Sequence, residues 1–414
     1  MRSTSRMSAR VALPLLAMLA LLMGEAWAQG PIKIGMIAPL TGPLAAIGKD
    51  MVMGTELYLD EIGRQVAGRR IELIVEDDQG DPAAGVTKTR KLVEQDKVHI
   101  MTGGVLASTG YAIQPYVDAQ KIPTTYPVMA GDELTQHKPA RWVVRTGFNA
   151  SQSQHPFGEW VATTLKYKKV VTLVADYAFG WENVGGFQRT LEEAGGQIVQ
   201  KIWTPVNAME FAPYLSLIRR DADAVFALQL ARSAIQFVKQ YGDAGLKARV
   251  PLIGGGQTTD EALLPAMGDE ALGIVTPLHY SAALDTAANK KFGAAFEKRA
   301  GKLPSPNAEL CYTNARWIVE AAKAIDGKVE DREAFLGALR KVDIKDTPRG
   351  PVTIDRFGNP VQNIYVRKVE RVGGKLQNTV IHTFPAVGQF WKYNPEEYLK
   401  LPVYSRNYPP CRYC

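Results

Sequence analysis

Three cysteines and five histidines in 414 residues leave little for metal or thiol chemistry. The histidines (His99, His137, His155, His279, His382) show no metal-ligand spacing, so a zinc site has no support. No G-x-x-x-x-G-K-[ST] and no G-x-G-x-x-G followed by a ribose-binding acid occurs, and Gly254-Gly255-Gly256 alone does not make a nucleotide loop. There is no G-x-S-x-G elbow for a hydrolytic serine. Asp77, Asp78 and Asp81 open like a calcium loop but lack the closing glutamate, and read as a solvated loop. Basic residues exceed acidic ones only 49 to 42, with no block of Lys/Arg, which argues against nucleic-acid binding. Enzymatic activity, metal and cofactor are therefore not expected.

The first 28 residues contain Arg2, Arg6 and Arg10, an apolar run over 11–23, and Ala26-Trp27-Ala28. These are the charged region, hydrophobic region and small-x-small cleavage site of a secretory signal peptide. The apolar run is shorter than the roughly 20 residues a bilayer span needs. Cleavage after Ala28 and residence in the periplasm are the expectations. The cysteines, Cys311, Cys411 and Cys414, all lie in the last quarter. In an oxidising compartment a disulfide involving Cys411 or Cys414 is expected, while Cys311 falls in a helical pattern and reads as a small buried residue.

An apolar fraction of 46% with 22% charge describes a globular chain, too long for one simple core. Short β-rich runs at 32–37, 71–76, 98–103, 124–127 and 142–146 alternate with helical patterns at 48–66, 83–96 and, after a turn at 107–110, up to Gln120. The rhythm restarts with strands at 169–174, 197–203, 222–228 and 250–253 and helices at 180–194, 210–220 and 231–244. Two such series predict an α/β fold of two doubly wound parallel-sheet lobes. In these sheets ligands bind where the strand-to-helix turns converge, here 38–48, 103–110, 127–132, 176–181, 229–233 and 254–260. Each precedes a helix start, where backbone N–H groups favour an anion.

The order Ile32-Lys33-Ile34-Gly35, Pro39-Leu40-Thr41-Gly42, Gly48, Asp77-Asp78, Asp81-Pro82, Gly103-Gly104, Ser108-Thr109 and Ile122-Pro123 resembles the leucine/isoleucine/valine-type periplasmic substrate-binding proteins of ABC transporters. The resemblance continues through Arg145, Asp176-Tyr177-Ala178-Phe179-Gly180, Phe211-Ala212-Pro213-Tyr214, Asp223-Ala224-Val225, Gly273-Ile274-Val275 and the stretch 308–312. It implies a type I periplasmic binding protein fold, with two lobes joined by three hinge crossings near 147, 277 and 361. The lobes implied are 29–147 plus 278–361 and 148–277 plus 362–414. It further implies a monomer that delivers a small organic acid to a membrane permease.

Family members that bind amino acids place an acid in the loop after the 250–253 strand to pair the ligand's ammonium. Here that loop, 254–259, carries no carboxylate before Asp260. A buried unpaired ammonium costs several kcal/mol, so an α-amino acid is disfavoured. The resemblance places the ligand's acid group at Ser108, Thr109, Met129 and Ala130, with Leu40, Tyr177, Phe179, Gln229, Gln257, His279 and Tyr280 completing the site. Stacking surface with neutral donors predicts an aromatic carboxylate, of benzoate or hydroxycinnamate type. A branched-chain amino acid or amide is the alternative. The tail, rich in aromatics and proline over 390–410, cannot be a long helix and reads as a strap across lobe surfaces.

Overall fold

The computed structural model describes residues 30–414, and the leader read at 1–28 lies outside them. The first sheet has the order β2-β3-β1-β4-β5-β6: Gln65–Val66, Arg69–Asp77, Ile32–Ala38, Ile100–Gly103, Thr124–Tyr126 and Val143–Arg145. All its neighbours are parallel except the short antiparallel β2. In the second sheet, β7 (Lys169–Ala175), β8 (Gln197–Thr204), β9 (Ala224–Leu228), β10 (Leu252–Gly254) and β11 (Val275–Leu278) lie in the order β8-β7-β9-β10-β11. These strands are parallel. An antiparallel extension follows: β12 (Ile344–Thr347), β13 (Gly350–Ile354), β14 (Pro360–Val372) and the edge strand β15 (Lys375–Val387). The lobes are thus mixed rather than purely parallel.

Eight described helices have eight residues or more: α1 (Ala45–Glu61), α2 (Pro82–Glu94), α3 (Ala107–Ala119), α4 (Ala178–Glu193), α5 (Ala231–Asp243), α6 (Ala287–Ala300), α7 (Pro306–Ala324) and α8 (Arg332–Leu339). After β11 the chain returns to the first lobe, where α7 lies against α1. A Cβ built on Gly54 of α1 would stand only 2.1 Å from the Ala308 carbonyl oxygen, so glycine permits this approach. Residues 344–354 belong to both lobes. Their ladder joins β14 and the second sheet, while Ile344 and Val352 sit in one core cluster with Ile32 and Ile34. The helix read at 48–66 begins and ends earlier, because Gly63 at φ 65° turns the chain into the β2–β3 hairpin. The helix read at 210–220 shrinks to Ala212–Leu215.

Past β15 the tail crosses both lobes. On the first, His137 Nε2 lies 3.0 Å from the Leu399 carbonyl and Thr135 Oγ1 donates to Gln389 Oε1 at 3.0 Å. On the second, Tyr393 donates to Glu193 at 2.7 Å and Arg406 pairs with Asp176 at 3.0 Å. The tail buries Phe390, Tyr398 and Tyr404, and a Cβ on Gly185 of α4 would stand 2.4 Å from the Tyr404 ring. Cys411 and Cys414 are joined as a disulfide and Cys311 is buried and free.

Candidate functional site

Each sheet reverses its winding at one place. In the first the chain leaves β1 to build one side and returns to β4 on the other; in the second β7 and β9 play these parts. The turns after these four strands meet in one cavity between the lobes. From the first lobe come Ala46, Ile47 and Asp50, then Val105–Ala107, Val128 and Ala130. Tyr177, Phe179, Leu230 and Ala231 come from the second. Phe148 at the first crossing, Gln257, Asp260, Ala262, Leu263 and Asn307 complete the wall. The free space is about 60 Å³. At ~10–15 Å³ per water-sized volume, this suits one small molecule.

Helix starts dominate this wall, and they are unusual in one respect. Asp81, Thr286, Ser305 and Asp331 cap α2, α6, α7 and α8 by accepting a backbone N–H. At α1, α3, α4 and α5 the cap positions are Leu44, Leu106, Tyr177 and Leu230, none of which makes a side-chain cap bond. Those four helices are the ones whose uncapped first turns line the cavity. First-turn N–H groups without a side-chain cap and the positive dipole ends make an electropositive rim suited to a carboxylate. Ala231 also holds φ 48°, a left-handed conformation that is strained for a residue with a Cβ.

The remaining wall is apolar and aromatic. Phe148 meets Phe179 edge to face at 6.1 Å, and Tyr177 lies 6.0 Å from Phe179. Asp50, Gln257, Asn307 and Asp260 are the polar members of the wall. Asp260 is the acid without an ion-pair partner among the described residues. Its Oδ1 accepts the Ala262 N–H at 2.9 Å, while its Oδ2 has only Asn307 Nδ2 at 3.4 Å. Burial, with Glu261 and Asp50 nearby, pushes the Asp260 carboxyl up to about 7. Asp50 itself pairs with Lys302 at 2.7 Å.

Of the sequence-derived site residues, Ala130, Tyr177, Phe179 and Gln257 line the cavity. Ser108 does not: it is exposed, because the wall is made by the residues just before it, 105–107. Thr109 is turned toward α2, where a Cβ on Gly85 would touch its methyl at 2.6 Å. Leu40 is half-buried, with its N–H donated to Asp77 at 2.8 Å. Met129 packs in the core under Gly104. Gln229 is spent on Thr204, donating to its hydroxyl at 3.0 Å. His279 lies behind the wall, its ring 4.8 Å from Phe148, and Tyr280 is core, 6.4 Å from the Phe292 ring. Burial, with Arg349 and Arg367 beyond it, drives the His279 pKa well below its usual value, so the ring is neutral.

The absence of a carboxylate from the cavity, expected from the 254–259 loop, is overturned. The short helical turn Gly256–Thr259 carries Asp260 back into the wall. Asp50 arrives one helical turn after Ala46, on the same face of a helix that starts three residues earlier than its apolar pattern indicates. Phe148, Leu230 and Asn307 were likewise not singled out.

Below Phe148 the crossings are bound by buried ion pairs. Arg349 meets Glu309 at 3.0 Å and Arg367 meets Glu261 at 3.3 Å, all four side chains fully buried. Arg349 also donates to the Thr146 carbonyl and to Gln362 Oε1, both at crossing segments. Between α3 and α4, the Tyr111 hydroxyl donates across the lobes to Glu182 at 2.9 Å.

Two lobes wound around a cavity at both winding reversals define a solute-binding protein, and sequence comparison agrees. The periplasmic binding protein family model matches residues 31–375, and the chain belongs to that family. Its members bind solutes for ABC transporters and are not enzymes. A Leu/Ile/Val-binding protein homolog 6 from Brucella melitensis is 32% identical over 390 residues, 92% of this chain and 98% of that one. Among solved structures, a solute-binding protein of an ABC transporter from Rhodopseudomonas palustris BisB5, in complex with 3,4-dihydroxybenzoic acid, is 36% identical with a TM-score of 0.83, covering 87% of this chain and 98% of that chain. Another solute-binding protein from R. palustris, in complex with benzoate, is 31% identical with a TM-score of 0.81, covering 86% and 98%. No described helix is long and apolar enough to cross a membrane, and no described group of three or more His, Cys, Asp or Glu is placed to hold a metal.

Proposed function

We propose that this protein captures a small aromatic carboxylate in the periplasm and presents it to the permease of an ABC transporter. The observation that carries this reading is the set of helix starts at the cavity: those of α1, α3, α4 and α5 carry no side-chain cap, and only that of α7, which brings Asn307, is capped. Each is worth about 0.3–1 kcal/mol to an anion at the surface, and up to ~2 kcal/mol when partly buried. Phe148, Tyr177 and Phe179 supply ring-stacking surface, and relatives at 31–36% identity have been solved with benzoic acids bound.

Asp260 favours a second reading, a branched-chain amino acid whose ammonium it would neutralise. The sequence argument against an amino acid rested on a cavity without acids, and that premise is gone. A thermal-shift panel separates the two readings. Benzoic-type acids at 100 times their dissociation constant add about 2.7 kcal/mol to the folded state and raise Tm, while leucine, isoleucine and valine leave it unchanged. A shift with leucine and none with any aromatic acid reverses the assignment.

A further inference from the structure

The relatives bound to 3,4-dihydroxybenzoic acid and to plain benzoate share one architecture with this chain. Whether a ring hydroxyl matters here is therefore a question for this chain's own wall. Two buried carboxylates, Asp50 and Asp260, line the cavity, and a third, Glu261, follows Asp260 in the chain; two of the three are paired with a cation. Asp50 has Lys302 at 2.7 Å and Glu261 has Arg367 at 3.3 Å. Among the described residues Asp260 has no cation within ion-pair distance, and its Oδ2 has only the long contact to Asn307. It is 7% exposed and lines the cavity. A buried carboxyl oxygen without a good donor is costly, and a ligand hydroxyl relieves that cost.

The geometry points to Asp260, assisted by Asn307, as the residue that reads a hydroxyl on the ring, making the preferred solute a hydroxylated aromatic acid rather than benzoate itself. This rests on the aromatic-acid reading above. Like charges repel strongly in a buried site, so the ligand's carboxylate lies at the uncapped helix starts and not beside Asp260. A 4-hydroxybenzoate satisfies both conditions, because its two polar groups lie at opposite ends of the ring. An α-amino acid carries both charges on one carbon and would bring its carboxylate in beside Asp260 and Asp50.

An ionised Asp260 is the stronger acceptor. Its titration is set by burial and by the groups facing it: Glu261 in its own loop, Asp50 on α1 and Lys302 after α6. Preference for the hydroxylated acid therefore grows from pH 6 to pH 8, below the ~10 at which a phenol ionises.

Isothermal titration of the full mature chain, its Asp260→Asn form and its Asp260→Leu form tests this, with benzoate, 4-hydroxybenzoate, 3,4-dihydroxybenzoate and L-leucine at pH 6 and pH 8. The wild type is expected to bind 4-hydroxybenzoate at least about tenfold more tightly than benzoate at pH 8. In Asp260→Leu that ratio falls to about one, and in Asp260→Asn the ratio loses its pH dependence. An unchanged ratio in Asp260→Leu overturns the role of Asp260 and leaves the aromatic-acid function standing. Leucine binding to the wild type, with no aromatic acid bound, overturns the function and this inference together.

Discussion

Asp260 and Glu261 are neighbours in the chain, both carboxylates and both buried, yet the fold treats them oppositely. Glu261 is held by Arg367 under the cavity, as Glu309 is held by Arg349. Asp260 faces the cavity with a single firm backbone donor. The paired set binds the crossings together, each acid held by a buried arginine. The unpaired acid and the uncapped helix starts carry polar groups short of partners, a cost that a bound molecule relieves. The contrast separates architecture from recognition more sharply than residue type does, since acids serve both.

The largest effect should come from breaking the paired set. Arg349→Met leaves Glu309 buried without a counter-charge and is expected to cost about 3–5 kcal/mol in chemical denaturation, with much of the loss recovered in Arg349→Met/Glu309→Leu. A recovered double variant would show that the pair is structural and dispensable as charge.

Removing the unpaired acid should do the reverse. The Asp260 carboxyl has its pKa raised to about 7, against 3.8 for an ordinary aspartate. Between these values the folded state binds more protons than the unfolded state, so stability falls as pH rises from about 4 to 7. Asp260→Asn removes that slope and gains at least about 1 kcal/mol at pH 8; an unaltered slope would show that the acid is better solvated than its surroundings indicate.

Smaller changes test the rim. Tyr111→Phe deletes the hydroxyl that crosses to Glu182 and should cost about 1–2 kcal/mol by leaving that buried acid short of a donor, seen as weaker solute binding in titration calorimetry. Ala231→Gly relaxes the left-handed residue at the α5 start and should raise stability by about 0.5–1 kcal/mol, the strain relieved less the added freedom of the unfolded chain.

The repeating strands and helices of 30–254 were legible because their apolar runs are short, regular and closed by turn residues. The antiparallel extension was not. β14 and β15 are thirteen residues each, and β15, exposed along much of its length, carries no apolar alternation to mark it. The site was legible as a set of loops, since the winding reversal follows from strand order. Individual residues were less so. A turn that shifts by one residue exchanges Ala107 for Ser108, and Asp50 and Asp260 enter through a helix start and a single turn of helix that local composition does not announce. The choice of Leu44, Leu106, Tyr177 and Leu230 at cap positions was a visible signal, because leucine is a poor cap, but it acquires meaning only once the helix starts are known to converge.

The tail ties the end of the chain to surfaces formed far upstream: His155 and Tyr404, 249 residues apart, meet at 3.1 Å. Assembly therefore cannot be completed until Tyr404 has reached the lobe that holds His155. Such distant closures are slow to form, which leaves the nascent polypeptide unfinished, and open to handling by other factors, for longer than a chain built from neighbouring segments.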